Sequence, residues 1–229
     1  EVGGYIKSLA QFCDNRLELD LTHRFTFATS TSYTDKNGNS VTTTVGDGLA
    51  LLSTAHTLAF STTTYSNRLT GDPAFSESSL ESALLLAATD IYSNFGEKRY
   101  KRFNTIVTGT DPGTIRTVRQ VLESTADVDA VQEGVKNVYM GQFNHVILPY
   151  LATAAGGGAD STKVRWWFLV ATGQGVQGWQ AYYGIWQAPV MLTPSNENAG
   201  MNINNFNWTY STYSIHGIAT VSPKGVIGS

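Results

Sequence analysis

Thr105-Ile106-Val107-Thr108-Gly109-Thr110-Asp111-Pro112-Gly113-Thr114-Ile115 is the stretch on which the fold class turns. Its four consecutive β-branched residues read as a short strand. Asp111 and Pro112 read as the N-cap and first position of a helix carrying Ile115, Val118, Val121 and Leu122. A strand that turns directly into a helix places both element types in one packed unit. Upstream, Ser76 to Phe95 reads as a long helix, with Ser78 and Glu81 as a capping box and Gly96 as the stop. Leu80, Leu84, Ala87, Ile91 and Phe95 recur at helical spacing, and Leu85, Leu86 and Ala88 widen that stripe, so the helix is expected to meet protein on more than one side.

Downstream, strands are expected at His145 to Leu151, where Pro149 favours a sheet edge, and at Val164 to Ala171, whose near-continuous apolar run suits burial on both faces. Gly156-Gly157-Gly158 between them reads as a loop. Phe206, Trp208 and Tyr210 alternate with polar residues, and Ile215 to Val221 continues as a further strand. Near the N-terminus, Lys36-Asn37-Gly38-Asn39 separates two Thr-rich runs, Phe25 to Thr34 and Ser40 to Val45, which is the signature of a β-hairpin. Its arms carry too little apolar surface for an isolated ribbon in water, so it needs something to lie on. The alternatives are a loose surface loop and an arm ordered on a neighbouring subunit. No clean linker divides the chain, and the expected fold class is α+β.

Composition narrows the function. The 229 residues are 41% hydrophobic but only 14% charged, well below the share usual for a soluble domain, so a surface that faces other protein is plausible. With a net charge of −3 and no long basic run, tight salt-dependent nucleic-acid binding is not expected. Lys98, Arg99, Lys101 and Arg102 form the densest basic stretch; they could touch nucleic acid, and a solvated helix end is the preferred reading. The single cysteine, Cys13, reads as a small buried residue in a chain made in a reducing compartment. The apolar stretches Ala83 to Ala88 and Trp166 to Ala171 are too short for a membrane span.

Catalytic signatures are sparse. Gly173-x-Gly175-x-x-Gly178 matches a dinucleotide fingerprint, but it runs into Trp179-Gln180-Ala181-Tyr182-Tyr183-Gly184 and not into a recognisable helix start. Glu197, near the spacing of a ribose-binding acid, sits among Pro194, Asn196 and Asn198. His23, His56, His145 and His216 have no metal-ligand spacing, and no nucleophile or carboxylate pair stands out, so no catalytic, cofactor-binding or metal residue is nominated. Asn207-Trp208-Thr209 is a glycosylation sequon without consequence in a chain that is not secreted. The many Trp and Tyr residues suit a core or interface better than a sugar or base platform.

Taken in order, Gly46-Asp47-Gly48-Leu49-Ala50-Leu51-Leu52-Ser53-Thr54-Ala55-His56, Phe103 to Gly109 with its following helix to Leu122-Glu123-Ser124, Val138 to Leu151, Trp166-Trp167-Phe168-Leu169 and Tyr213-Ser214-Ile215-His216-Gly217 resemble pieces of the tailed-bacteriophage major capsid proteins, most of all the Mu-type major head subunits. The resemblance implies the HK97-like capsid fold: residues 1–48 as N-terminal segment and extended hairpin loop, 49–104 as a peripheral region with a spine helix over about 76–95, 105–190 as an axial-type α/β domain, and 191–229 as a β-rich return to the peripheral domain. It further implies a virion protein, not an enzyme and without cofactors, assembled in the host cytoplasm. Its partners would be copies of itself in hexamers and pentamers, with portal, scaffold or decoration proteins, no membrane, and packaged double-stranded DNA held by weak non-specific contact. The inter-subunit contact candidates are Tyr33, Asn37, Gly38 and Val41. A start at Glu1 suits trimming by a maturation protease. An encapsulin-like nanocompartment shell, a nucleotide-binding enzyme using Gly173 to Gly178, and a phage decoration or tube protein are the rival readings.

Overall fold

The computed structural model describes residues 2–125, 136–173, 179–192 and 211–229. Within them lie three α-helices and ten strands, and the chain forms two compact units. One comprises Glu1–Leu21 and Tyr182–Ile218; the other comprises Thr22–Ala181 and Ala219–Ser229.

The larger unit is built on a four-stranded sheet. Strands β5 (Thr105–Thr108), β6 (Asn144–Ile147), β7 (Trp167–Val170) and β10 (Val226–Gly228) lie in the order β10-β7-β5-β6. β5 and β6 are parallel, and the other two pairs are antiparallel. The parallel pair is possible because α3 (Pro112–Glu123) stands between β5 and β6 in the chain and supplies the crossover. Asp111 caps α3, its side chain accepting from the Thr114 amide, with Pro112 in the first turn where no backbone donor is missed. β6 is an edge strand that stops before Pro149, and β7, buried at all four positions, is central.

Alternation splits the sheet between two cores. Ile106, Leu169 and Ile227 stand opposite one another across β5, β7 and β10 and pack with Leu80, Ala83 and Ala87 of α2 (Glu77–Thr89) and with Val118, Val121 and Leu122 of α3. Val107, Phe168, Val170 and Val226 face the other way, onto Phe25, Val45, Leu51, Leu52 and Leu151. Each fully buried aliphatic side chain contributes about 1.5–3 kcal/mol, so these two layers outweigh any single polar contact. Trp167 anchors the first layer through Nε1, which donates to the Pro73 carbonyl at 3.0 Å.

Five sequence expectations are corrected. α2 ends at Thr89, with Asp90 as its C-cap, and not at Phe95, and its capping box is Ser76 with Ser79 in place of Ser78 with Glu81, because the Ser79 hydroxyl accepts from the Ser76 amide at 2.8 Å. Gly96, at φ +84°, belongs to a tight turn in which the Ser93 amide meets the Glu97 carbonyl. The long Thr-rich arm shrinks: Phe25 and Thr26 finish α1 (Val2–Thr26), a helix the sequence reading did not assign, and the hairpin is only β1 (Ser32–Thr34) with β2 (Ser40–Thr42). Lys98, Arg99, Lys101 and Arg102 follow the Ser93–Glu97 turn and do not end a helix. The Phe206, Trp208 and Tyr210 alternation, Glu197 and the sequon lie outside the described residues, as do residues 174–178 of the glycine-rich loop.

Candidate functional site

The smaller unit carries the most conspicuous surface. β8 (Gln180–Leu192) and β9 (Ser211–Ser222) are hydrogen-bonded to each other as a two-stranded sheet. Thr212 Oγ1 donates to the Leu9 carbonyl of α1 at 3.4 Å, and His216 Nε2 lies 3.2 Å from Asp20 Oδ2. The alternation along β9 is inverted relative to an ordinary half-buried strand. Thr212, Ser214 and His216 are the more covered positions, while Tyr213 and Ile215 point to solvent. On β8, Tyr182, Ile185, Trp186 and Leu192 are exposed too, Trp186 at 86%. Single exposed apolar residues are ordinary; a run of them on one long ribbon is the mark of an interaction surface. Among the described residues each strand pairs only with the other, so each has one edge that no described strand covers.

In the larger unit, a cavity of about 680 Å³ opens where the Ser93–Glu97 turn, the β3 (His56–Leu58) and β4 (Ser61–Tyr65) hairpin and the Pro223–Gly225 turn meet. The turn throws the chain back, pairing Tyr92 with Lys98, and so delivers Arg99 and Lys101 to the wall opposite Lys224. Lys224 Nζ donates to Asn94 Oδ1 at 2.6 Å and lies 5.8 Å from the centre of the Tyr65 ring. Burial and the Lys224 charge pull Lys101 down to about 8; burial also lowers Lys224, partly offset by Asp47. Burial and then Asp47 push the Tyr65 hydroxyl upward.

Asp47, the acid on the cavity wall, is already engaged. Its Oδ2 lies 2.7 Å from Nδ1 of the fully buried His56, and its Oδ1 accepts from the Leu49 amide at 3.1 Å. His56 Nε2 in turn faces Asn67 Oδ1 at 3.1 Å, and the Asn67 amide donates to the Leu51 and Pro223 carbonyls at 2.7 and 3.2 Å. Those two carbonyls fix which end of the Asn67 amide is the acceptor, so Nε2 is the donor. The network ties residues 46–56 to the C-terminal turn. Among the described residues no hydroxyl or thiol hydrogen-bonds to His56, so the geometry is that of a structural knot.

The sequence-nominated contact residues are placed together, at the hairpin. Tyr33, 8% exposed, stacks on Phe27 with ring centres 4.4 Å apart and meets His23 edge-on at 5.1 Å. Val41 pairs with Tyr33 across the strands and is half-buried. Asn37 and Gly38 form the exposed tip, with Gly38 at φ +85° and Asp35 accepting from the Asn37 amide at 2.9 Å. After Gly173, the described chain resumes as strand β8, where a dinucleotide fold would place a helix. Among the described residues, no group of three or more His, Cys, Asp or Glu is placed to hold a metal, and no helix is long and apolar enough to cross a membrane. Compared with protein-family models, curated proteins and solved structures, the chain matches none.

Sequence reasoning missed both surfaces. Ile215 to Val221 was legible only as a strand, and a sequence cannot state which of a strand's faces is buried. Lys101 and Lys224 are separated by 123 positions in the chain and meet only in the fold.

Proposed function

We propose that this chain is a structural subunit that assembles with copies of itself into a closed shell, of the kind that forms the head of a tailed bacteriophage and encloses double-stranded DNA. The observation that carries self-assembly is the inverted β9 face, with Tyr213 and Ile215 exposed, next to a strand β8 on which Tyr182 and Trp186 are exposed on one shared face. Leaving such apolar area in water costs on the order of 25 cal/mol per Å² relative to covering it, and repetition of one such contact by symmetry suits a many-subunit assembly. The low charge content fits the same reading, since little repulsion keeps copies apart. The phage-head assignment within that class rests on the resemblance of the segment order to the Mu-type major head subunits.

The test is electron microscopy together with light scattering on the purified full chain over a range of concentrations and salts. Closed particles of uniform size are expected, with DNA-filled particles from phage-producing cells. A monomer under every condition overturns the proposal, and particles that package a protein cargo and exclude DNA redirect it to a nanocompartment shell.

A further inference from the structure

The cavity between the Ser93–Glu97 and Pro223–Gly225 turns has a chemistry that shell assembly does not use. Arg99, Lys101 and Lys224 bring three cations to one concavity. Among the described residues, neither lysine has a carboxylate within ion-pair distance; Arg99 has only Glu97, at 3.8 Å and exposed. Asp47 offsets Lys224 only in part and is itself held by His56 and the Leu49 amide. Half-buried like charges with incomplete counter-charge are costly, and an anion that enters recovers that cost. The volume, about 680 Å³, is that of a small-ligand site and exceeds what a bare ion fills. Tyr92 and Tyr100 add aromatic wall, and Tyr100 stands 84% exposed.

We propose that this cavity binds a phosphate group, held between the Lys101 and Lys224 ammonium groups with the Arg99 guanidinium at the rim. A dianion satisfies two ammonium groups at once, which a single carboxylate does not, and the guanidinium fork matches phosphate oxygens. The phosphate has two possible sources, a free phosphate or nucleotide and the backbone of a polynucleotide, and both present the same oxygens.

Titration calorimetry and thermal denaturation of the full chain with inorganic phosphate, against sodium chloride at matched ionic strength, test this. Phosphate is expected to bind and to raise the melting temperature where chloride does not. Lys101→Met and Lys224→Met should each weaken phosphate binding about tenfold or more, as expected for loss of one charge-assisted contact, while Lys36→Met on the exposed hairpin leaves it unchanged. A duplex oligonucleotide that displaces phosphate from the wild type but gains nothing from Lys101→Met identifies the polynucleotide source; a nucleotide that displaces it where the duplex does not identifies the free source. Equal effects of phosphate and chloride, or full binding by both lysine variants when circular dichroism shows them folded, overturn the site.

Discussion

The Tyr33 ring stacks on the Phe27 ring at 4.4 Å and 16°, so the Asn37-Gly38 hairpin is rooted on the end of α1 in its own chain. Support for its polar arms is supplied internally at Tyr33, while Ser32, Thr34, Ser40, Thr42 and the Asn37-Gly38 tip stay exposed. Tyr33→Ala is therefore expected to destabilise the isolated subunit by about 3 kcal/mol, the scale of an aromatic truncation in a packed site, measured by urea unfolding. Gly38→Val should cost about 1–2 kcal/mol, because φ +85° is left-handed backbone. A Tyr33→Ala variant as stable as the parent would show that the hairpin root is not packed in solution.

Gly228 is the position where β10 crosses closest to its neighbours. A Cβ built there meets the Phe168 ring at 2.6 Å and Leu52 at 3.1 Å, and both side chains are fully buried. Gly228→Ala should destabilise by about 1–3 kcal/mol through overpacking, in contrast to Gly158→Ala, where the added methyl meets nothing. Denaturation midpoints of the two variants make the comparison directly.

Asn67 is fully buried and holds Leu51, Ser53, His56 and Pro223 together. Asn67→Leu keeps the approximate volume but leaves the Ser53 amide without its acceptor, at roughly 1–3 kcal/mol, and removes one partner each from His56 Nε2 and the Leu51 and Pro223 carbonyls. Expression in the soluble fraction should fall sharply, and hydrogen exchange should show residues 46–56 opening first. Unchanged protection in that segment would remove the network from the list of what holds it.

Lys101 gives a pH signature. Its folded-state value of about 8 lies below its ordinary 10.5, so the unfolded chain binds the proton more tightly. The resulting penalty is present in full below about pH 8 and disappears as pH rises to 10.5. Lys101→Met should stabilise the subunit at pH 7 by on the order of 1 kcal/mol once solvent screening is allowed for, and the gain should shrink between pH 8 and 10.5. The charged groups that share the cavity wall with Lys101 are Arg99, Lys224 and Asp47. Phosphate affinity should accordingly decline as pH passes about 8, and calorimetry at pH 7 and 9 reads the difference.

Tyr213→Asp and Ile215→Asp place charge on the exposed face of β9. Because neither side chain is buried within the subunit, the melting temperature of the unassembled chain should change little, while assembly is abolished as judged by light scattering. Particles that form normally from both variants would place the assembly contact elsewhere.

Part of this molecule was legible before any coordinates. The Asp111-Pro112 start of α3, the buried β7 run and the Asn37-Gly38 turn follow from contacts within a few residues: a cap that satisfies a helix amide, β-branched side chains that suit a pleat, a glycine that tolerates positive φ. α1 was not legible, because its apolar residues form no stripe and its C-terminal turn is held by tertiary burial of Thr22, His23, Phe25 and Thr26. The basic stretch was read as a helix end because the apolar pattern carries on to Phe95, whereas α2 stops at Thr89 and the chain turns back over Ser93–Glu97.

What the sequence determined by itself was the kind of each local element, since propensity, capping and turn chemistry act over a few bonds. The fold alone decided that Val226–Gly228 closes the sheet against β7, that Lys101 meets Lys224, and that β9 turns Tyr213 and Ile215 outward. Those outcomes depend on which distant surfaces are buried together, and a side chain's charge, exposure and partners are properties of that burial and not of its neighbours in the chain.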